Sequence, residues 1–212
     1  MDILHQFVQD LQHTGWWEFI AVIAGILSVW FSRTENILVY PTGLVNTIIY
    51  IYLSLNSSLL GEASVNLYYT VLNIYGWVMW TRKDRQDQYV LQVTRSSRRE
   101  LAGQLAFFSA FYFIVFASLT WLKQGFAPQA IPWADAFASA TAYTGMWLMT
   151  RKKVESWYWW IATNCASIPL YFVKHYVFTS VYYIILLILA ISGLLEWAKR
   201  AGAVEHAVES KS

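Results

Sequence analysis

The sequence predicts an all-α polytopic membrane protein: seven transmembrane helices, built as two parallel three-helix repeats joined by a linker helix (3+1+3). Composition, long charge-free runs and a recurring spacing predict it. Of the 212 residues, 57% are hydrophobic and 13% charged, against about 25% charged in a typical soluble domain. Runs without Asp, Glu, Lys or Arg cover Asn36–Gly61, Ala63–Thr81, Leu101–Leu122, Ser156–Val173 and Val177–Leu195. A helix needs roughly 20 mostly apolar residues to cross the hydrocarbon, and a soluble core has no place for so many helices that are apolar all round.

Residues 1–13 lack the basic and apolar regions of a signal peptide and read as an extracytoplasmic segment, a short amphipathic helix lying on the membrane. The first repeat, 14–81, holds spans at 14–32, with Glu18 near its start, at 37–56, with Pro41 as an early-helix proline, and at 62–81. Residues 82–100 are charged and read as a solvated cytoplasmic linker. A connecting helix at 101–122 follows. The second repeat, 132–197, holds spans at 132–150, 157–173 and 178–197, and 198–212 form a cytoplasmic tail. Within the sixth span Pro169 removes a donor and frees the Cys165 carbonyl. The Cys165 side chain is expected to be a small packing residue.

Orientation follows from the basic residues. With the N-terminus outside, thirteen of the fifteen Lys and Arg fall in inner segments and only Lys123 and Lys174 fall outside. Such a bias places the C-terminus in the cytoplasm. Topology also accounts for the net charge of +2, so no nucleic-acid partner is implied.

The recurring spacing lies between spans 1–3 and spans 5–7. Asn46 follows Arg33 by thirteen residues, as Asn164 follows Arg151. Gly76 precedes Trp80 by four, as Gly193 precedes Trp197, and the offsets between copies run from 116 to 118. Three helices are an odd number, so directly joined copies would face opposite ways. The fourth span reverses the chain and makes the repeats parallel.

Polar residues form stripes, since positions three or four apart share a helix face. Trp160, Thr163, Asn164, Ser167 and Tyr171 form one; Asn66, Tyr69, Thr70, Asn73 and Trp77 a second; Thr42, Asn46 and Tyr50 a third. Polar groups at membrane depth face the bundle interior or a cavity, so the stripes can line one central site. They can equally be hydrogen-bonding glue between helices.

No charged residue stands near the middle of any span, whereas ion-coupled carriers place a carboxylate or ion cage there. Uncoupled movement down a gradient is expected. The one cysteine excludes an intrachain disulfide and a multi-Cys metal site. The four histidines lie in termini or the last outer loop, so no nucleophile–base or metal constellation forms at depth. No enzyme and no cofactor are implied.

The segments NIYGWVMW at Asn73–Trp80, WADAFASATAYTGMWLMTRKKVESW at Trp133–Trp157 and the W-x-x-x-N motif at Trp160–Asn164 resemble the Pnu vitamin transporter family, nearest its nicotinamide riboside branch. The resemblance spans roughly 17–200 and implies a 3+1+3 fold in a bacterial inner membrane. It also implies a vitamin site including Trp160 and Asn164, and facilitated uptake of nicotinamide riboside trapped by a cytoplasmic kinase. Relatives carry thiamine, riboflavin or deoxynucleosides, and the motif does not choose among them. A binding-only receptor is the other function class left open. The candidate site residues are therefore Trp160, Asn164, Asn73, Asn46, Trp77, Tyr69, Asn66, Ser167 and Tyr50.

A cysteine placed at Ser97 should resist membrane-impermeant thiol reagents in intact cells and react once the membrane is opened. Ready labelling from outside would reverse the topology.

Overall fold

The computed structural model describes residues 15–56, 60–123, 125, 130–174 and 176–209, with side chains described except at 60–62, 64 and 205–209. The segment 1–13 lies outside the described residues. Seven helices are present among the described residues: α1 (Trp16–Arg33), α2 (Val39–Asn56), α3 (Leu60–Thr81), α4 (Arg98–Leu122), α5 (Pro132–Met149), α6 (Glu155–Val173) and α7 (Val177–Glu209). Among them α1, α4 and the Val177–Val204 part of α7 are long and apolar enough to cross a membrane by length and composition. The other four helices include the three polar stripes and the Ala- and Thr-rich α5.

Six bounds fall within a few residues of those read from sequence; the seventh does not. Instead of ending near 197, α7 continues to Glu209. Arg200 stabilises the extension. Its guanidinium contacts Glu196 one turn back at 3.1 Å and Glu35 at 2.6 Å, and Ala201 is fully buried beside it.

The linker also differs from the sequence reading. Residues 82–90 are exposed, but the second half docks on the turn between α5 and α6. Thr94 N–H donates to the Lys152 carbonyl (3.2 Å), and Val154 N–H donates to the Thr94 carbonyl (3.1 Å). Val93 enters the hydrophobic core. The Glu155 carboxylate accepts from the Ser96 N–H (2.9 Å) and hydroxyl (2.6 Å). The Gln104 amide, buried in α4, then joins Ser96 to the Trp159 indole. Ser97 and Glu100 close a capping box at the start of α4, which satisfies two otherwise orphaned donors. The Lys153 ammonium and the Ser97 backbone bond hold the Glu100 carboxyl down to about 2.

The two repeats meet through contacts that come in pairs. Ser32 and Met149, 117 residues apart, touch directly, as do Glu35 and Lys152 at the same separation. The Trp80 indole donates to the Met149 carbonyl (3.3 Å), and Trp197 donates to the Ser32 carbonyl (3.1 Å). Tyr40 packs edge-on against Trp80 at 5.2 Å, as Trp157 does against Trp197 at 5.4 Å. A Cβ on Gly76 would enter the Tyr40 ring and one on Gly193 the Trp157 ring. Glycine at both positions is what lets these aromatic residues seat. Reciprocal contacts at one fixed separation are the mark of an approximate two-fold relation between the repeats.

Around that axis the helices form a ring in the order α3, α2, α1, α7, α6, α5. α4 packs outside on α5. The ring closes tightly between α1 and α7 and sparsely between α3 and α5, although the two seams are counterparts.

Glu35 and Lys152 both hold left-handed backbone (φ 56° and 53°) in the α1–α2 and α5–α6 turns, and their side chains pair across the axis at 2.7 Å. Burial pushes the Glu35 carboxyl up, but its bonds to Lys152 and Arg200 outweigh this and hold it below its ordinary value of 4.5. Glu35→Gln leaves a mostly buried Lys152 ammonium unpaired, which costs about 2 kcal/mol or more. A group with a lowered folded pKa stabilises fully above its ordinary value and less as pH falls through the lowered one. Thermal unfolding should show a Tm gap between wild type and Glu35→Gln that is full above pH 4.5 and closes in acid. A gap independent of pH, or none, would contradict this role.

Candidate functional site

Trp160 sits one turn into α6, against α5 at Gly145, where a Cβ would lie 3.2 Å from the indole. Glycine there sets the depth to which the ring can enter. The indole meets Tyr69 of α3 at 6.4 Å, and Tyr69 meets Tyr143 of α5 at 6.2 Å. Tyr143 packs edge-on against Tyr68 at 4.7 Å and tilted against Phe111 of α4 at 5.2 Å. The Tyr68 hydroxyl donates to the Tyr143 carbonyl at 3.2 Å. Four helices thus contribute one aromatic cluster, and it fills the sparse seam between α3 and α5. Large flat rings suit that place because they bridge helices that do not approach closely.

The buried amides and hydroxyls divide into two kinds. Some are glue. Asn46 Nδ2 donates to the Ala21 carbonyl at 2.7 Å, and the Thr163 hydroxyl donates to Thr141 at 3.0 Å. Thr70 bonds Thr47 at 2.9 Å. Others are not bonded. Asn164, Asn73 and Ser167 are 3%, 4% and 2% exposed, and among the described residues their side chains make no hydrogen bond. Nor are their polar atoms sealed: among the described residues the fully enclosed, unpaired atoms are Arg33 Nε, Tyr40 Oη and Trp157 Nε1. The two amides and the Ser167 hydroxyl therefore keep unused hydrogen-bonding capacity, the Asn73 amide lying against Gly43 of α2. A buried amide with nothing to bond costs about 1–3 kcal/mol, so a chain that keeps two offers them to something else.

The structure thus brings Trp160 and Tyr69 together, and leaves Asn164, Asn73 and Ser167 unbonded. It gives Asn46 to the α1–α2 contact. Tyr50 is partly buried on α2 and Asn66 is buried on α3. Trp77 is 38% exposed, one position off the face of α3 that buries Asn66, Asn73, Gly76 and Trp80. Cys165 is exposed on the outer side of α6 rather than packed. In the first turn of α5, Asp135 pairs with Lys174 at 2.6 Å. Sequence reasoning missed Tyr143 and Gly145. Their one signal was position, a Tyr and a Gly within an alanine- and threonine-rich run. No group of His, Cys, Asp and Glu suited to a metal occurs among the described residues.

Residues 15–199 match the profile of the family described as nicotinamide mononucleotide transporter. The chain belongs to that family. It is 29% identical over 207 residues to the nicotinamide riboside transporter PnuC of Escherichia coli, covering 88% of this chain and 87% of that one. It is 23% identical over 202 residues to the riboflavin/roseoflavin transporter RibM of Streptomyces davaonensis, covering 92% and 90%. A crystal structure of the vitamin B3 transporter PnuC shares the fold, with a TM-score of 0.73 at 22% identity over 95% of this chain and 88% of that one. The family and these relatives are multi-pass membrane transporters, not enzymes, and so is this chain.

Asn164→Ala removes no protein hydrogen bond, so its stability should stay within about 1 kcal/mol of wild type. Asn46→Ala removes the 2.7 Å bond to the Ala21 carbonyl, which keeps its helical partner, and should cost about 0.5–1.5 kcal/mol plus the lost packing. Thermal unfolding in detergent orders the two; Asn164→Ala being the more damaging would return that amide to helix packing.

Proposed function

We propose that the chain carries nicotinamide riboside across the membrane by facilitated diffusion, and that a cytoplasmic kinase traps it by phosphorylation. The observation behind this reading is the pair of unbonded buried amides, Asn164 and Asn73, with Trp160 one turn from Asn164. An indole face attracts a flat cation, by about 0.5–2 kcal/mol, and a pyridinium ring is one. An amide both donates and accepts, as a carboxamide and a ribose hydroxyl require. Trp160, Asn164, Asn73, Tyr69 and Ser167 are the core of the proposed site, with Asn66 and Tyr50 at its margin. The E. coli relative's substrate supports nicotinamide riboside.

Riboflavin is a second reading, favoured by the Streptomyces relative, and thiamine, another flat cation, a third. The absence of charge from the middle of the described spans favours uncoupled transport. The thirteen-to-two division of basic residues favours an extracytoplasmic N-terminus, a cytoplasmic 82–100 segment and a cytoplasmic end to α7.

Proteoliposomes with labelled nicotinamide riboside test this. Uptake should equilibrate without exceeding the external level and should ignore proton and sodium gradients, with riboflavin and thiamine competing weakly. Asn164→Ala should weaken binding by roughly one to two decades, the worth of one hydrogen bond in a dry site. Binding without flux would make the chain a receptor. Accumulation abolished by an uncoupler would refute facilitated diffusion, and parent-like binding by Asn164→Ala would remove that residue from the site.

A further inference from the structure

A cleft of about 580 Å³ lies on the basic end of the molecule, apart from the aromatic cluster. One wall is apolar: Tyr75 and Met79 from the end of α3, and Val90 from the linker. The other is polar: Arg151 and Lys153 from the α5–α6 turn, and Thr94. It lies where the linker, docked on that turn through Thr94, returns to the end of α3, with the Val90 N–H donating to the Arg82 carbonyl at 3.0 Å.

The polar wall carries uncompensated positive charge. The Arg151 guanidinium lies over the Trp147 indole at 4.6 Å and has no carboxylate partner among the described residues. The same holds of Arg95, Arg98 and Arg99 nearby. Lys153 is 2.9 Å from Glu100, so Arg151 supplies the free charge within the cleft itself. Stacking on Trp147 fixes the plane of the guanidinium and leaves its fork of donors without a carboxylate. Such a fork matches phosphate oxygens.

The apolar wall says which phosphate. Tyr75 is exposed, on the same side of α3 as exposed Val71 and Val78, which stand one turn before and after it. That side is covered by lipid in a membrane, so the cleft opens where hydrocarbon gives way to headgroups. A soluble phosphate needs no apolar wall; an amphiphile needs both. Basic pockets at the rims of membrane helices have this chemistry.

We propose that this cleft binds the phosphate of an anionic phospholipid, held by Arg151, Lys153 and Thr94, with its glycerol and upper acyl chains against Tyr75, Met79 and Val90. Binding there would brace the docked linker against α3.

Native mass spectrometry of the full chain, offered dioleoylphosphatidylglycerol or dioleoylphosphatidylcholine, tests this, with inorganic phosphate as competitor. The phosphatidylglycerol should be retained preferentially. Arg151→Ala should lower its occupancy at least about tenfold, consistent with loss of a charged bidentate contact, while Arg99→Ala, equally basic but outside the cleft, should retain it. Tyr75→Ala should weaken phosphatidylglycerol and leave any phosphate binding unchanged. If Arg151→Ala fails to fold, Arg151→Gln, which keeps part of the aliphatic stem and a polar end without the charge, carries the same test. Equal retention of phosphatidylcholine, parent-like retention by the Arg151 variant, or displacement by millimolar phosphate would overturn the assignment. The last outcome would make it a site for soluble anions.

Discussion

Two indoles meeting on an approximate two-fold axis organise this protein. Trp80 and Trp197 lie 6.0 Å apart, and each donates its N–H to a carbonyl at the end of the other repeat's first helix. Each carbonyl also accepts a backbone N–H from the turn that follows, Met149 from Lys152 and Ser32 from Glu35, so each Trp fills the second lone pair of an oxygen already bonded once. Each also sits edge-on to a large ring, which needs a glycine to enter. One element thus joins the repeats and ties the last helix of each to the first helix of the other. The Glu35–Lys152 pair, on the same axis, closes that end. These two residues occupy equivalent turns and have opposite charge, which makes a self-complementary contact from a repeated one.

Away from that end the repeats differ, and the candidate site lies where they differ. At the fixed 117-residue separation, Trp160 corresponds to Gly43, Asn164 to Thr47, Asn73 to Ala190 and Tyr143 to Ile26. In the second repeat a large ring enters from α6 and the facing position on α7 is small. In the first, α2 is small and Asn73 of α3 fills the space, its amide oxygen within 2.6 Å of where a Cβ on Gly43 would be. The same asymmetry separates the seams. Ala21, Ala24 and Gly25 let α1 approach α7, while tyrosines hold α3 and α5 apart. A symmetric frame with an asymmetric middle gives rigid ends and one side open to specialisation.

Much of this was legible in the sequence, because bilayer thickness fixes helix length and basic residues mark one side. The Gly76–Trp80 and Gly193–Trp197 pairs showed the repeat. What failed was rotation by a single residue. Pairing Asn46 with Asn164 implied an offset of 118, one more than the structure uses. Asn46 is instead the counterpart of Thr163, and both bond the first helix of their own repeat. Trp77 missed the inner face for the same reason: helical spacing gives a stripe about a quarter-turn wide, and its edge depends on packing. The docked linker was hidden because its bonds are to residues some sixty positions away. The extension of α7 was hidden because a soluble helix has no hydrocarbon to fix its end.

We place the proposed binding site in the asymmetric middle beside the sparse seam, with the two-fold end closed. A structure determined with nicotinamide riboside bound tests it most directly. The pyridinium ring should lie on the face of Trp160, with its carboxamide or ribose bonded to Asn164 and Asn73 and the Trp80–Trp197 contact unchanged. Ligand lodged between α1 and α7, or an Asn164 amide bonded to a helix carbonyl while the ligand lies elsewhere, would contradict it.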